Sequence, residues 1–217
     1  MTLPSWSTAY LKPERVQLVE DAVKAAELKT SGEIVPMVVR RSSTVGHVPL
    51  LIMSILIAIF MIADGPGWQY AWLGHHWAWY LLDAVVLLLV STNLANIPAV
   101  QRLLTTQNDE IEQVNMRAAL EFYESGIHTT QGSTGVLLFI SLMERRAVVL
   151  ADKAIDERVP AETWDEVCRI MIDGIKKGHI GLGFTAAIER CGEILAAEFP
   201  IQANDENELR NNLIIKD

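Results

Sequence analysis

Basic residues are missing from the middle of this 217-residue chain. Between Arg41 and Arg102 there is no lysine or arginine, and Asp64 and Asp83 are the only charged side chains. Such a stretch excludes an ordinary soluble globule, whose surface carries charge throughout. Cysteine is scarce as well. Cys168 and Cys191 cannot make a disulfide framework and fall at apolar helical positions, which points to a reducing compartment. The net charge is −9 and no basic cluster offsets it, so nucleic acid is excluded as a partner. Catalytic signatures are lacking too: G-x-S-x-G, a Walker loop, H-E-x-x-H and C-x-x-C do not occur. Neither cysteine precedes the arginine-bearing loop with which a cysteine phosphatase cradles phosphate.

What is abundant is hydrophobic surface: half of the residues are hydrophobic and the mean hydropathy is +0.22. Val48 to Ala63 is sixteen residues without a charge, and Trp77 to Val90 is fourteen, interrupted by Asp83 alone. With Gly46 and His47 added to the first, and Ser91 to Asn96 to the second, both approach the roughly 20 residues that cross a bilayer. Spans near 46–63 and 75–95 are therefore expected. The segment between them, DGPGWQYAWLGHH, has the glycine and proline content of a turn. Its Trp68, Tyr70 and Trp72, with Trp77, Trp79 and Tyr80 following, suit the headgroup region of one membrane face. The competing reading is a helical hairpin buried in a soluble core, which so long an uncharged stretch disfavours. Arg40, Arg41 and Arg102 flank the pair while the connection has no basic residue, so both ends of the chain are expected in the cytoplasm. The first sixteen residues, MTLPSWSTAYLKPERV, contain no apolar core of a cleaved signal.

The rest of the chain, with 25 acidic and 18 basic residues, reads as an α/β domain. Val16, Val19, Val23 and Ala26 predict a helix from Pro13 to Lys29. Glu33 to Val39 reads as a strand, with Pro36 suggesting an edge or a bulge. Beyond the apolar stretch, Asn108 is placed to cap a helix that Gly126 ends. Thr134 to Ser141 has the unbroken apolar run of a strand buried on both faces. Ala147 to Ala151 returns as its hairpin partner, and two amphipathic helices follow, around Trp164 to Ile175 and Phe184 to Leu195. This order predicts a three-layer α/β/α sandwich on a small mixed sheet, built from residues 1–41 and 102–201 and interrupted by a transmembrane hairpin at 46–101. Residues 202–217 read as a polar tail that frays. Because the insertion falls inside a crossover, it ties the carboxyl end of the first strand to the membrane surface.

Few residues stand out chemically. In VVLADKAIDERV, Asp152 falls just past a strand end, with Asp156 and Glu157 within a turn. Carboxylates at that density suit a hard cation such as calcium, or simply cap the next helix as a solvated loop. Gly178, Gly181 and Gly183 in KGHIGLGF offer backbone amides to an anion or, more economically, a helix–helix turn. His128 sits in a loop before the buried strand, where a lone histidine is more often structural than catalytic. His75 and His76 suit an interface better than a metal site. Asp83, inside a span, is a candidate relay or partner contact that could also reach water near the aromatic end.

The segments SGEIVPMVV, GIHTTQGSTGVLLFISLMERRAVVLADKAIDERV and WDEV, with a C-terminal amphipathic helix, resemble the TPM domain. That family takes its name from a thylakoid lumen protein, a photosystem II repair protein and a nematode receptor-associated protein. The resemblance spans residues 13–41 and 107–198 and is most specific from Gly126 to Trp164. It implies an α/β sandwich with a small central sheet, weak acid phosphatase activity or calcium binding in some members, and accessory roles in membrane complexes in others. The family's acidic positions correspond to Asp152, with Glu33 or Asp156. Two departures stand out: the anchor is inserted within the domain instead of following it, and the domain is expected in the cytoplasm, which resembles a bacterial membrane branch. The expected role is a non-enzymatic assembly or maintenance factor for a membrane protein complex in the cell (inner) membrane, with a divalent cation, Ca2+, at Asp152. The alternative is a weak metal-assisted phosphatase built on the Asp152 loop.

Overall fold

The computed structural model describes residues 4, 6–42, 48–74, 76–104, 107–202 and 207–217, and of Ala9, Pro98, Gln101 and Arg102 the backbone alone. Gly46, His47 and His75, used above to extend the spans and as an interfacial histidine, lie outside the described residues. The chain divides into two compact units, one of Met1–Ser43 with Ile111–Asp217, the other of Thr44–Glu110.

The first unit is an α/β fold around a small mixed sheet. Its strands are β1 (Glu33–Val39), β2 (Gly135–Ser141), β3 (Arg146–Ala151) and β4 (Ile214–Lys216), in the order β3-β2-β1-β4. β1 runs parallel to β2 and to β4, and β2 is antiparallel to β3. Every residue of β1 and β2 is buried, as expected of central parallel strands covered on both faces. Ile34, Val38, Val136, Leu138 and Ile140 face a core formed with α1 (Pro13–Glu27), α8 (Trp164–Lys176) and α9 (Ile180–Glu198). Val35, Met37, Val39, Leu137 and Phe139 face Val114, Ala118 and Phe122 of α6 (Gln107–Glu124). A one-residue slip of either strand would exchange the two cores, so the register is firmly specified.

Three expectations are corrected here. β1 is not an edge strand: it lies between β2 and β4. Pro36 is tolerated because of where its missing donor points. The Arg40 amide donates to Lys216 on the β4 side, and by alternation position 36 faces the same way. Pairing with β4 begins only at Met37, so Pro36 removes a bond that has no partner. The tail does not fray. Leu213 is fully buried, and Ile214 and Ile215 join the cores on opposite faces of the sheet. Asn108 lies inside α6 and not at its cap, and Gly126, at φ +70°, follows the end of that helix.

Of the glycines of KGHIGLGF, Gly178 takes the positive φ (+71°) of the turn, while Gly181 and Gly183 serve helix packing. A Cβ on Gly174 would come 2.7 Å from the Gly183 Cα, so α8 and α9 cross with their backbones in contact. Both cysteines are free. Cys191 is fully buried, and burial pushes its thiol well above the ordinary range. Burial also raises Cys168, with a hydrogen bond from the Val149 backbone acting against the rise and Asp165 adding to it.

The second unit holds α2 (Val48–Ile62), α3 (Gly65–Leu73), α4 (Trp77–Ala95) and α5 (Pro98–Leu104). Among the described residues one helix, α4, is long and apolar enough by itself to cross a membrane. α2 meets that description only together with α3, from which it is bent by 60°. The segment expected as a plain turn thus contains a nine-residue helix, with Pro66 in its first turn, where proline's fixed φ suits a helix start. Val48 and Ile52 of α2 pack against Ala95 of α4.

Candidate functional site

The amino ends of β1 and β2 and the carboxyl end of β3 share one edge of the sheet: Glu33 pairs with Gly135, and Val136 with Ala151. Asp152 therefore sits on this edge, where its amide donates to the Gly135 carbonyl at 2.8 Å. The chain departs for the second unit from the opposite edge, beyond Val39. There Ser42 and Ser141 share a 2.8 Å hydrogen bond, and Glu144 accepts from the Ser42 amide. The strand order thus separates Asp152 from the point at which the insertion begins.

Asp152 caps α7 (Lys153–Asp156): its Oδ1 accepts from the Lys153 amide at 2.7 Å. Its Oδ2 is buried and has no hydrogen-bond partner among the described residues. Asp156 follows one turn later, its carboxyl raised above the usual range first by burial and then by the charge of Asp152. These two carboxylates are brought together. Glu33 is not: its Oε1 accepts from the Glu208 amide at 3.0 Å and its Oε2 from the Leu209 amide at 3.3 Å, so it anchors the C-terminal segment. Among the described residues no three His, Cys, Asp or Glu side chains converge in a way that could hold a metal. Calcium takes six to eight oxygens, so two carboxylates and nearby carbonyls make at most an open site completed by water.

His128, in a short 3-10 turn at Ile127–Thr129, packs its ring 5.1 Å from that of Tyr123. Asp83 accepts 2.8 Å hydrogen bonds from the Gln69 amide on both carboxylate oxygens.

A feature the motifs did not disclose lies on the Asp152 edge: a cavity of about 710 Å3 between Ser31, Thr134, Ala154, Arg158, Glu198 and Glu208, among others. The Asp152 and Asp156 carboxylates do not line it. Arg158 does, lying 4.8 Å over the Phe199 ring and donating to the Glu198 carbonyl at 3.3 Å. A guanidinium placed over an aromatic ring keeps its forked donors available for bidentate recognition of an oxyanion. No local signal marked it, because the walls come from five separate segments.

The BA42 protein from the psychrophilic bacterium Bizionia argentinensis, solved by NMR, is similar in structure, with a TM-score of 0.60 over 95% of each chain. At 20% identity that likeness speaks for the fold alone. Among curated proteins none matches the chain. The family model for the TPM domain matches residues 83–194, from within α4 to the last turns of α9, and takes in β2, β3 and the Asp152 loop. That is half of the chain, and it includes the segment on which the resemblance was strongest: the protein belongs to the TPM domain family.

Proposed function

We propose that the chain is a membrane-anchored TPM domain that serves a membrane protein complex as a non-enzymatic assembly or maintenance factor. The observation that carries this reading is the surface of α4. Ser91 and Ala95 are its buried side chains, while Leu81, Leu82, Val85, Val86, Leu88 and Leu89 are exposed. Exposed apolar area on this scale is an aggregation liability in water and a requirement in lipid. Two crossings, with α2 and α3 sharing the first, leave Arg40, Arg41 and Arg102 at one membrane face, which the basic-residue bias assigns to the cytoplasm.

Cysteine labelling tests this arrangement. In a Cys168→Ala/Cys191→Ala background, a cysteine at Trp72 reacts with an impermeant maleimide applied to intact cells, and one at Lys153 reacts only after permeabilisation. The opposite pattern inverts the orientation. Equal labelling of both in intact cells removes the anchor.

A divalent cation belongs to the proposal through the unpartnered Oδ2 of Asp152 beside Asp156. An open site with two carboxylates binds calcium at best in the millimolar range, as the weaker all-oxygen sites do. Calcium that binds only the folded state raises the melting temperature by mass action. The expected result is a shift of a few degrees at ~10 mM calcium, about one to two ligand-linked kcal/mol at ten-fold the dissociation constant. Asp152→Ala abolishes it. Because the Asp156 carboxyl is raised, protons displace the cation at higher pH than an ordinary aspartate would allow, so the shift fades early on acidification. No shift in the unmutated protein removes the cation.

The second reading is a weak phosphatase, favoured by Arg158 in the neighbouring cavity. Hydrolysis of p-nitrophenyl phosphate that Asp152→Ala eliminates would favour it over the accessory role.

A further inference from the structure

The bend between α2 and α3 has a length that can be checked against a bilayer. Fifteen residues make α2 about 22 Å long, short of the ~30 Å hydrocarbon layer. Nine residues of α3, inclined at 60°, add roughly 7 Å along the same axis. The sum, about 29 Å, equals the ~28 Å of the 19-residue α4. The two limbs together are as long as one crossing, and neither is enough alone.

The break itself is sharply defined. Asp64 takes the left-handed conformation at φ +53°, which aspartate tolerates better than most L-residues. Its carbonyl accepts from the Trp68 amide at 2.9 Å, so the new helix starts at once. Aromatic side chains dominate α3: Trp68, Tyr70 and Trp72 are exposed, Trp68 and Trp72 stack with centroids 5.8 Å apart, and Trp77 and Tyr80 at the start of α4 are also exposed. One polar side chain of α3, Gln69, turns back to bind Asp83 of α4. Indoles and phenols in a segment without lysine or arginine fit the headgroup layer on the side away from the arginines.

We propose that α2 and α3 form one bent crossing whose second limb is an oblique aromatic collar in the outer headgroup layer, tethered to α4 by the Gln69–Asp83 pair. This rests on the membrane anchoring proposed above. The occupant of the exposed aromatic face is the lipid headgroup layer. The bend lets a short apolar helix match the thickness that α4 spans straight, and it carries the aromatic side chains sideways instead of out into water. The tether places a carboxylate, costly in hydrocarbon, against a donor at both oxygens.

Spin labels on single cysteines in the full-length protein, reconstituted in phosphatidylcholine–phosphatidylglycerol vesicles, test this by depth. The background carries Cys168→Ala and Cys191→Ala. Labels at Ile57 and Leu88 are expected to be open to oxygen and closed to a water-soluble nickel chelate. A label at Ala71 is expected to be intermediate towards both, and Asp83→Leu is expected to increase its mobility several-fold while leaving Ile57 and Leu88 unchanged. Ala71 as deep as Leu88 makes α3 a re-entrant limb, and Ala71 fully open to nickel makes it a water-exposed turn. Either result overturns the collar. An Ala71 label indifferent to Asp83→Leu overturns the tether. If Ile57 and Leu88 are themselves open to nickel, the membrane reading has failed instead.

Discussion

Removal of residues 202–217 is expected to lower the melting temperature of the α/β unit by about 10–20 °C, a loss of ~5 kcal/mol. A solvated tail would cost at most ~0.5 kcal/mol. The difference comes from what this segment does. Leu213 has no exposed surface, and its full burial contributes ~2 kcal/mol. Glu33, itself 5% exposed, keeps both carboxylate oxygens satisfied through the Glu208 and Leu209 amides, and stranding them costs a further ~1–3 kcal/mol. Lys216 pairs with the buried Glu121, which Arg117 also holds at 2.8 Å, so truncation halves the neutralisation of a carboxylate that is 1% exposed. β4 also covers the carboxyl half of β1, whose backbone would otherwise become an open edge. Thermal denaturation of the full chain and the truncated one in the same detergent decides the matter. Leu213→Ala, expected to cost ~2–4 kcal/mol, gives a graded reading if the truncated chain does not accumulate. An unchanged melting temperature in both would mean that the segment does not dock.

The second large effect is expected at the crossing of α8 and α9. Gly174→Val should destabilise the unit by ~3 kcal/mol or more, although valine is the better helix former by a fraction of a kcal/mol. The added Cβ would meet the Gly183 Cα and, at 3.2 Å, its amide nitrogen. These are backbone atoms that no rotamer change can move. The helices must separate, and Met171, Phe184 and Ile188 of the same core lose their close packing. Denaturant unfolding monitored by circular dichroism measures the loss. Stability equal to the unmutated protein would mean that the helices do not touch at this point.

What could be read from residues alone follows from how each element is stabilised. β2 was legible because it is apolar on both faces, and that pattern is written within its own residues. The α8 and α9 faces were legible for the same reason, through three-four spacing. β4 was not. Three residues after the polar run ending in Asn211-Asn212 carry no period, and their pairing is fixed by Glu33, Glu121 and the carboxyl half of β1, all remote in sequence. α3 was misread because glycine and proline weigh towards a turn, whereas proline in a first helical turn and a side-chain bond to α4 weigh towards a helix. At the candidate site, strand-end logic located Asp152, and the hairpin implied that β3 runs antiparallel to β2. Which edge Asp152 occupies relative to the insertion depended on the sheet order and the pairing of β1 with β2, remote in sequence. Arg158 escaped notice because a cavity lined by separate segments has no linear signature.

The strand order also dictates a timetable for synthesis. Glu33 emerges early and must wait for Gly135, and Met37 must wait still longer for Ile214. Between the two halves of the sheet the ribosome delivers the apolar helices, while β1 is still unpaired. High contact order of this kind makes for slow closure and a long exposure of β1, whose seven residues are all destined for burial. The sheet of the α/β unit therefore closes only after the apolar helices have been synthesised, which makes the waiting first strand the natural target of a chaperone.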